Sequence, residues 1–381
     1  MPELRLTGRD VGTQQGISVA LIDGRIAAIE AAASNDGPWL TSGLIDLQVN
    51  GYRGHDFNDG ALTADRVSTL SRIIAGCGVT TYLPTLITAS RASLLSALAA
   101  IADARRRDPL CARMIPFVHV EGPFLAPEDG PRGGHPREHI RPPDLDEVAE
   151  WQRVSGDLVG KITLSPHYDG VEDFIRAVNA QRILVAIGHT AASTEQIHAA
   201  AAAGARLSTH LGNGAAATLP RHPNFIWAQL ADDRLDAGFI TDGFHLPADA
   251  FKAMLRAKGL ARSYLVSDKT ALGGMPPGIY DQAIGGRVEV GADGRLSVMG
   301  TPYLAGASRP LKEDVALAIG MADLSLAEGL RLATHNPGRF VGQRGRLAVG
   351  EPADLILFDW QPGAATLGIR ETYVAGEKWS G

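Results

Sequence analysis

Residues 183–210 read ILVAIGHTAASTEQIHAAAAAGARLSTH. An apolar run, 183–187, stops at Gly188. The Ala-rich stretch 194–203 is built of strong helix formers and closes on Gly204, a stop signal. A second β-prone run, 206–209, follows at once. Two strands joined by a helix are laid parallel, because only a crossover returns the chain to the same edge of a sheet. Each of these two strands ends on an imidazole, His189 and His210.

The unit repeats in both directions. Strands are predicted at 43–49, 80–87, 115–120 and 161–165 before it, and at 236–241 and 263–267 after it. Helical stretches lie between them at 64–75, 90–107, 144–154, 172–180, 226–231 and 248–258. In the first of these, Val67, Leu70, Ile73 and Ile74 fall on one face, and Gly76 and Gly78 end it. Eight strand–helix units in about 230 residues fit an α/β fold of the (β/α)8 TIM-barrel type. The tail adds a hairpin, 287–290 and 296–298 around Asp293-Gly294, and helices at 314–319 and 326–332.

The two ends of the chain have a different texture. Runs 17–21 and 25–29 flank the turn Asp23-Gly24, and 354–358 and 372–374 offer further strands. Residues 1–43 and 345–381 are therefore expected to join into one small β-sandwich domain, with the barrel, 44–344, between them.

Composition narrows the function. The chain has 36 Lys and Arg against 42 Asp and Glu, a net charge of −6, so no basic excess points to nucleic acid. No apolar run approaches the roughly 20 residues of a membrane helix. The opening MPELRLTGRD carries no apolar signal-peptide core. The two cysteines, Cys77 and Cys111, imply no disulfide framework. The expectation is a cytoplasmic enzyme acting on a small molecule.

Its chemistry is expected at the strand ends. Glu121 closes MIPFVHVE, His189 and His210 close their strands, and Asp268 closes SYLVSD. A carboxylate and two imidazoles on one barrel rim make a site for a divalent metal, and Asp268 would serve as general base beside it. The first strand offers Asp46, Gln48 and Asn50 on one face by alternation. Amides are poor ligands for a zinc-like ion, so a second metal there is not expected. His245, Arg221 and, on the Gly-rich loop PRGGHP, His135 are candidate substrate contacts, with the loop as a lid. His167 is a secondary candidate. His55, His119, His139, His198 and His335 read as structural.

The strings GLIDLQVNG (43–51), EGPF (121–124), ITLSP (162–166), GHT (188–190), THLGN (209–213), ITDGFH (240–245), LVSD (265–268) and LAGAS (304–308) resemble, in order, the N-acetylglucosamine-6-phosphate deacetylases of the amidohydrolase superfamily. The resemblance implies one divalent metal ion, zinc by preference, on Glu121, His189 and His210, and Asp268 as base and acid. It further implies substrate contacts from His135, Asn213, Gly214, Ala215, Arg221 and His245, with Arg221 on the phosphate, and a homodimer in which the neighbouring subunit can contribute to the site. Two departures stand out. The family reads Leu-Tyr-Asn-Ala-Met where this chain reads Leu211-Gly-Asn-Gly-Ala215, and it has a small residue where Lys269 follows Asp268. Both are expected on the loops that select the substrate. A deaminase, a cyclic-amide hydrolase, an aminoacylase and a non-catalytic sugar-binding barrel are the competing expectations.

Overall fold

A computed structural model describes residues 4–282, 284–301 and 303–379. Eight strands follow one another around a parallel sheet in chain order: β1 Leu44–Val49, β2 Val79–Ile87, β3 Val118–Glu121, β4 Val159–Leu164, β5 Leu184–Ile187, β6 Leu207–Ser208, β7 Asp236–Phe239 and β8 Ser263–Leu265. The circle closes just past β8. Val49 and Lys269 form a parallel bridge, and Asp268 N donates to Gln48 O at 3.0 Å. The predicted barrel is therefore present, with its strand ends gathered on one rim.

The helices between strands are capped as their sequences dictate. Ser193 caps Thr194–Ala203 through a reciprocal bond pattern with Gln196, and Ser90 caps Arg91–Arg107. A short helix that periodicity missed, Pro109–Met114, starts on Asp108 with proline in its first turn and delays β3 to Val118. Apolar faces pack outward from the strands, while Ile45, Leu47, Leu83, Ala186, Leu207, Ile240, Tyr264 and Val266 form a separate buried cluster.

The two chain ends meet in one seven-stranded sheet. Its order is Glu377–Trp379, Gly368–Val374, Leu355–Asp359, Trp39–Ser42, Leu4–Asp10, Gly16–Ile22 and Arg25–Ala31. The junction is the antiparallel pairing of Leu355–Asp359 with Trp39–Ser42. Leu6, Val19, Ile26, Leu40, Leu355 and Leu357 bury its inner face. After β8 the expected hairpin forms, Gly286–Val290 with Leu296–Val298, and Gly278–Gln282 adds a third antiparallel strand. Alternating exposure in that third strand, with Ile279 more than half exposed, hid it from an apolar-run reading.

Candidate metal centre and its surroundings

Glu121 is the last residue of β3, His189 stands two residues past β5 and His210 two past β6. Their ligand atoms lie within 4.8 Å of one another. His210 Nε2 is 3.1 Å from Glu121 Oε1 and 3.1 Å from His189 Nε2, and His189 Nε2 is 3.4 Å from Glu121 Oε1. All three side chains are buried. His189, His210 and Asp268 share a left-handed backbone, with φ of 49°, 28° and 48°. Such φ values are costly for side chains other than glycine, and they collect where a site over-determines its geometry.

The surroundings settle which atoms are offered. His189 Nδ1 donates to Pro131 O at 2.8 Å, so in the neutral ring, the form a metal would bind, Nε2 carries the lone pair. His210 Nδ1 is buried without a partner among the described residues. Burial opposes ionisation of Glu121, but the two imidazoles beside it outweigh burial and hold the carboxyl well below its ordinary range. His189 is pulled the other way: burial lowers it, and the Glu121 carboxylate beside it, with the Pro131 carbonyl, more than restores it. One carboxylate and two imidazole nitrogens converging this closely are the donor set of a zinc-type centre, and the residues fit a single divalent cation.

The first strand contributes as amides only. Gln48 Nε2 donates to Glu121 Oε1 at 2.9 Å, and Asn50 Nδ2 to Asp268 Oδ1 at 2.7 Å. Both amides therefore orient carboxylates, a role that their residue types alone did not disclose. Asp46 does not join them. The register of β1 slips between Asp46 and Val49, and Asp46 instead accepts from Ser267 Oγ at 2.5 Å and pairs with Lys269 Nζ at 3.2 Å. Lys269, expected on a substrate loop, is wholly buried in this seam. The physical reason is the turn at Asp268, which sends two neighbouring side chains to different places. Asp268 itself is buried. Desolvation and the nearby Glu121 charge push its carboxyl up to about 6, against the pull of His210 and His245.

His135 is brought to the centre. Its ring meets that of His189 edge-on at 4.4 Å, and its Nδ1 accepts from the Thr88 N–H at 3.4 Å. Burial, with His189 adding to it, pushes this imidazole down to about 3, so it stays neutral with the proton on Nε2. The Gly-rich loop that carries it is packed against His189. A Cβ on Gly133 would meet His189 Cε1 at 3.2 Å, and one on Gly214 would meet His189 Nδ1 at 2.7 Å. Gly214, with φ of 58°, thus buttresses the ligand from the other side. Asn213 and Ala215 stand half-buried beside it, Asn213 donating to His210 O at 3.2 Å. Gly212 has φ of 98°, a backbone that strains any residue with a Cβ, and a Cβ there would press on Leu246 and Met254.

His245 is held at 2.7 Å by Asp242 and lies close enough to act on the Asp268 charge. Arg221 is not gathered in. It stands exposed with His222 on the segment before the helix Phe225–Ala231. His167 bonds Ser165, which bonds Thr190 next to His189. His119, read as structural, spans Thr85 and Thr163 inside the barrel, beside buried Lys161, whose ammonium burial pushes down to about 8.

Residues 39–378 match the amidohydrolase family. The bovine N-acetylglucosamine-6-phosphate deacetylase is 32% identical over 353 residues, 89% of this chain and 82% of that protein. An N-acetylgalactosamine-6-phosphate deacetylase of Escherichia coli O157:H7 is 29% identical over 94% of this chain and 93% of its own. The crystal structure of the N-acetyl-D-glucosamine-6-phosphate deacetylase of Mycobacterium smegmatis superposes with a TM-score of 0.88 at 27% identity, covering 98% of this chain and 99% of that one.

Proposed function

Because this chain belongs to the amidohydrolase family, in its N-acetylglucosamine-6-phosphate deacetylase branch, we propose that it hydrolyses the N-acetyl amide of N-acetylglucosamine-6-phosphate to glucosamine-6-phosphate and acetate. The observation that carries the reading is the convergence of Glu121, His189 and His210 beside a buried Asp268. We assign zinc to those three ligands on the strength of their two imidazoles and one carboxylate. When bound, the ion supplies an activated water and a Lewis acid for the acyl oxygen.

The chain's own groups do the rest. Asp268, oriented by Asn50, takes the proton of the attacking water at its carboxylate and returns it to the amide nitrogen as the C–N bond breaks. His245 and His135 present Nε2 atoms toward substrate, each with its Nδ1 engaged elsewhere. Gln48 holds Glu121 in place. A phosphate needs a cation, and Arg221 is the one the resemblance offers. In this reading Arg221 serves that role across a homodimer interface, which its exposure supports and which would also cover Trp227, 53% exposed on the following helix. The two buried free thiols suit the cytoplasm.

The test is release of free amine from N-acetylglucosamine-6-phosphate, its galacto epimer and unphosphorylated N-acetylglucosamine, with metal-stripped and zinc-loaded protein. The expected result is zinc-dependent turnover with strong preference for a phosphorylated sugar. Equal turnover with and without phosphate removes the Arg221 role, and turnover of none of the three removes the substrate assignment.

A further inference from the structure

Asp242 and His245 form a pair that the metal centre does not explain. They sit on the turn after β7, with Asp242 carboxylate Oδ2 2.7 Å from His245 Nδ1 and side-chain exposures of 1% and 10%. The carboxylate is itself fixed. Its Oδ1 accepts from the N–H groups of Phe244 at 2.8 Å and His245 at 2.9 Å. The turn is clamped from the segment that follows the third sheet: Arg309 Nε donates to Asp242 O at 3.0 Å, and Thr241 Oγ1 donates to Asp314 O at 2.8 Å. Burial works against an ionised Asp242, and the bonds from His245 and the two N–H groups outweigh it, holding the carboxyl below its ordinary range. Behind it lies Asp314, whose two carboxylate oxygens are buried with no partner among the described residues. Burial drives that carboxyl well above its ordinary range, toward the neutral form.

We propose that Asp242 is the positioning residue for His245: it accepts the Nδ1 proton of His245, fixes the plane of the ring, and leaves Nε2 as the one ring atom presented to substrate. A carboxylate that accepts one ring proton selects the tautomer and the orientation of an imidazole, and both are lost when the acceptor becomes an amide. The two effects belong to one device, so removing either member should remove the same catalytic contribution. The kinetic half of this inference rests on the deacetylase reading; the structural half does not.

The experiment uses zinc-loaded full-length enzyme and the variants Asp242→Asn, His245→Gln and their double. Proton NMR of the resting protein should show a low-field Nδ1–H signal in the parent that is missing from both single variants. With N-acetylglucosamine-6-phosphate, each single variant should lose about 10²-fold in kcat/KM, the size expected for one positioned donor, and the double should be no worse than His245→Gln. A low-field signal retained in Asp242→Asn, near-parental kcat/KM in that variant, or losses that multiply in the double would each overturn the proposal. Asp242→Glu provides the same test should the amide variant fail to fold: the longer carboxylate must displace the ring, shifting the signal and lowering kcat/KM, and an unchanged signal and rate overturn it. If the parent does not hydrolyse this sugar, the substrate reading fails and the NMR comparison alone decides on Asp242.

Discussion

Two buried clusters, one residue apart in sequence, treat charge in opposite ways. At the rim, Glu121, His189 and His210 point donor atoms at one another 3.1 to 3.4 Å apart, and the His210 Nδ1 finds no partner among the described residues. In the seam between β1 and β8, Asp46 meets Lys269 and Ser267 and its charge is answered from within the chain. Asp268 belongs to the first cluster and Lys269 to the second. A buried ion pair completes itself, whereas a ring of lone pairs is complete only with a cation from outside. The seam therefore holds the barrel closed while the rim is left available for chemistry.

Breaking the rim should cost activity and spare the fold. Asp268→Asn is expected to lower kcat by about 10²- to 10⁴-fold, the range for loss of a general base, with bound zinc equal to the parent by elemental analysis. Full turnover in that variant would take Asp268 out of the mechanism. Breaking the seam should do the reverse. Lys269→Met leaves the Asp46 carboxylate buried without its cation, and urea unfolding should show a loss of about 3–5 kcal/mol while zinc affinity and KM of the folded fraction stay unchanged. A parallel fall in zinc affinity would mean that the two clusters are one.

A smaller effect is expected where backbone touches the rim. In Gly214→Ala the new methyl meets His189 Nδ1 at 2.7 Å, on a backbone with φ of 58°. Zinc affinity should fall by about 10- to 100-fold, as for other losses of a ligand's support. Competition with a chelator measures it, and parental affinity would show that the loop yields. The smallest effect contrasts a third carboxylate, Asp56, which among the described residues has no cation as close as Lys269 is to Asp46. Burial pushes the Asp56 carboxyl up to about 6 from an ordinary 3.8, so the folded state holds this proton more tightly than the unfolded chain. The contribution of Asp56 is full below pH 4 and declines by about 3 kcal/mol as pH rises to 6. Asp56→Asn should lack that decline, so its stability relative to the parent should improve between pH 4 and pH 7 in thermal scans. A constant difference would show that Asp56 is solvated.

The barrel was legible because its signals are local and repeated. Strand, helix and glycine stop recur from residue 43 to residue 267, and the ionisable residue at the end of a strand marks the rim. That signal picked out Glu121, His189, His210 and Asp268, and the glycine-rich loop picked out His135; the structure gathers all five around one centre. Alternation failed at Asp46, where a register slip in β1 redirected the side chain, and it failed at 278–282, where a half-exposed strand shows no apolar run. Arg221 remained outside the gathered site because nothing in its local sequence says which surface the 214–224 segment faces.

Residue order by itself determined the eight barrel strands, all but one of the helices between them, the joining of the two ends, and the set of ligand atoms available to a metal, since each depends on periodicity or on side-chain chemistry read within a few positions. Tertiary structure decided the pairings: Gln48 with Glu121, Asn50 with Asp268, Pro131 O with His189, and Lys269 with Asp46 rather than with substrate. These partners lie from 58 to 223 residues apart, a separation at which chain periodicity carries no information and only packing and the need to satisfy buried polar atoms choose the contact.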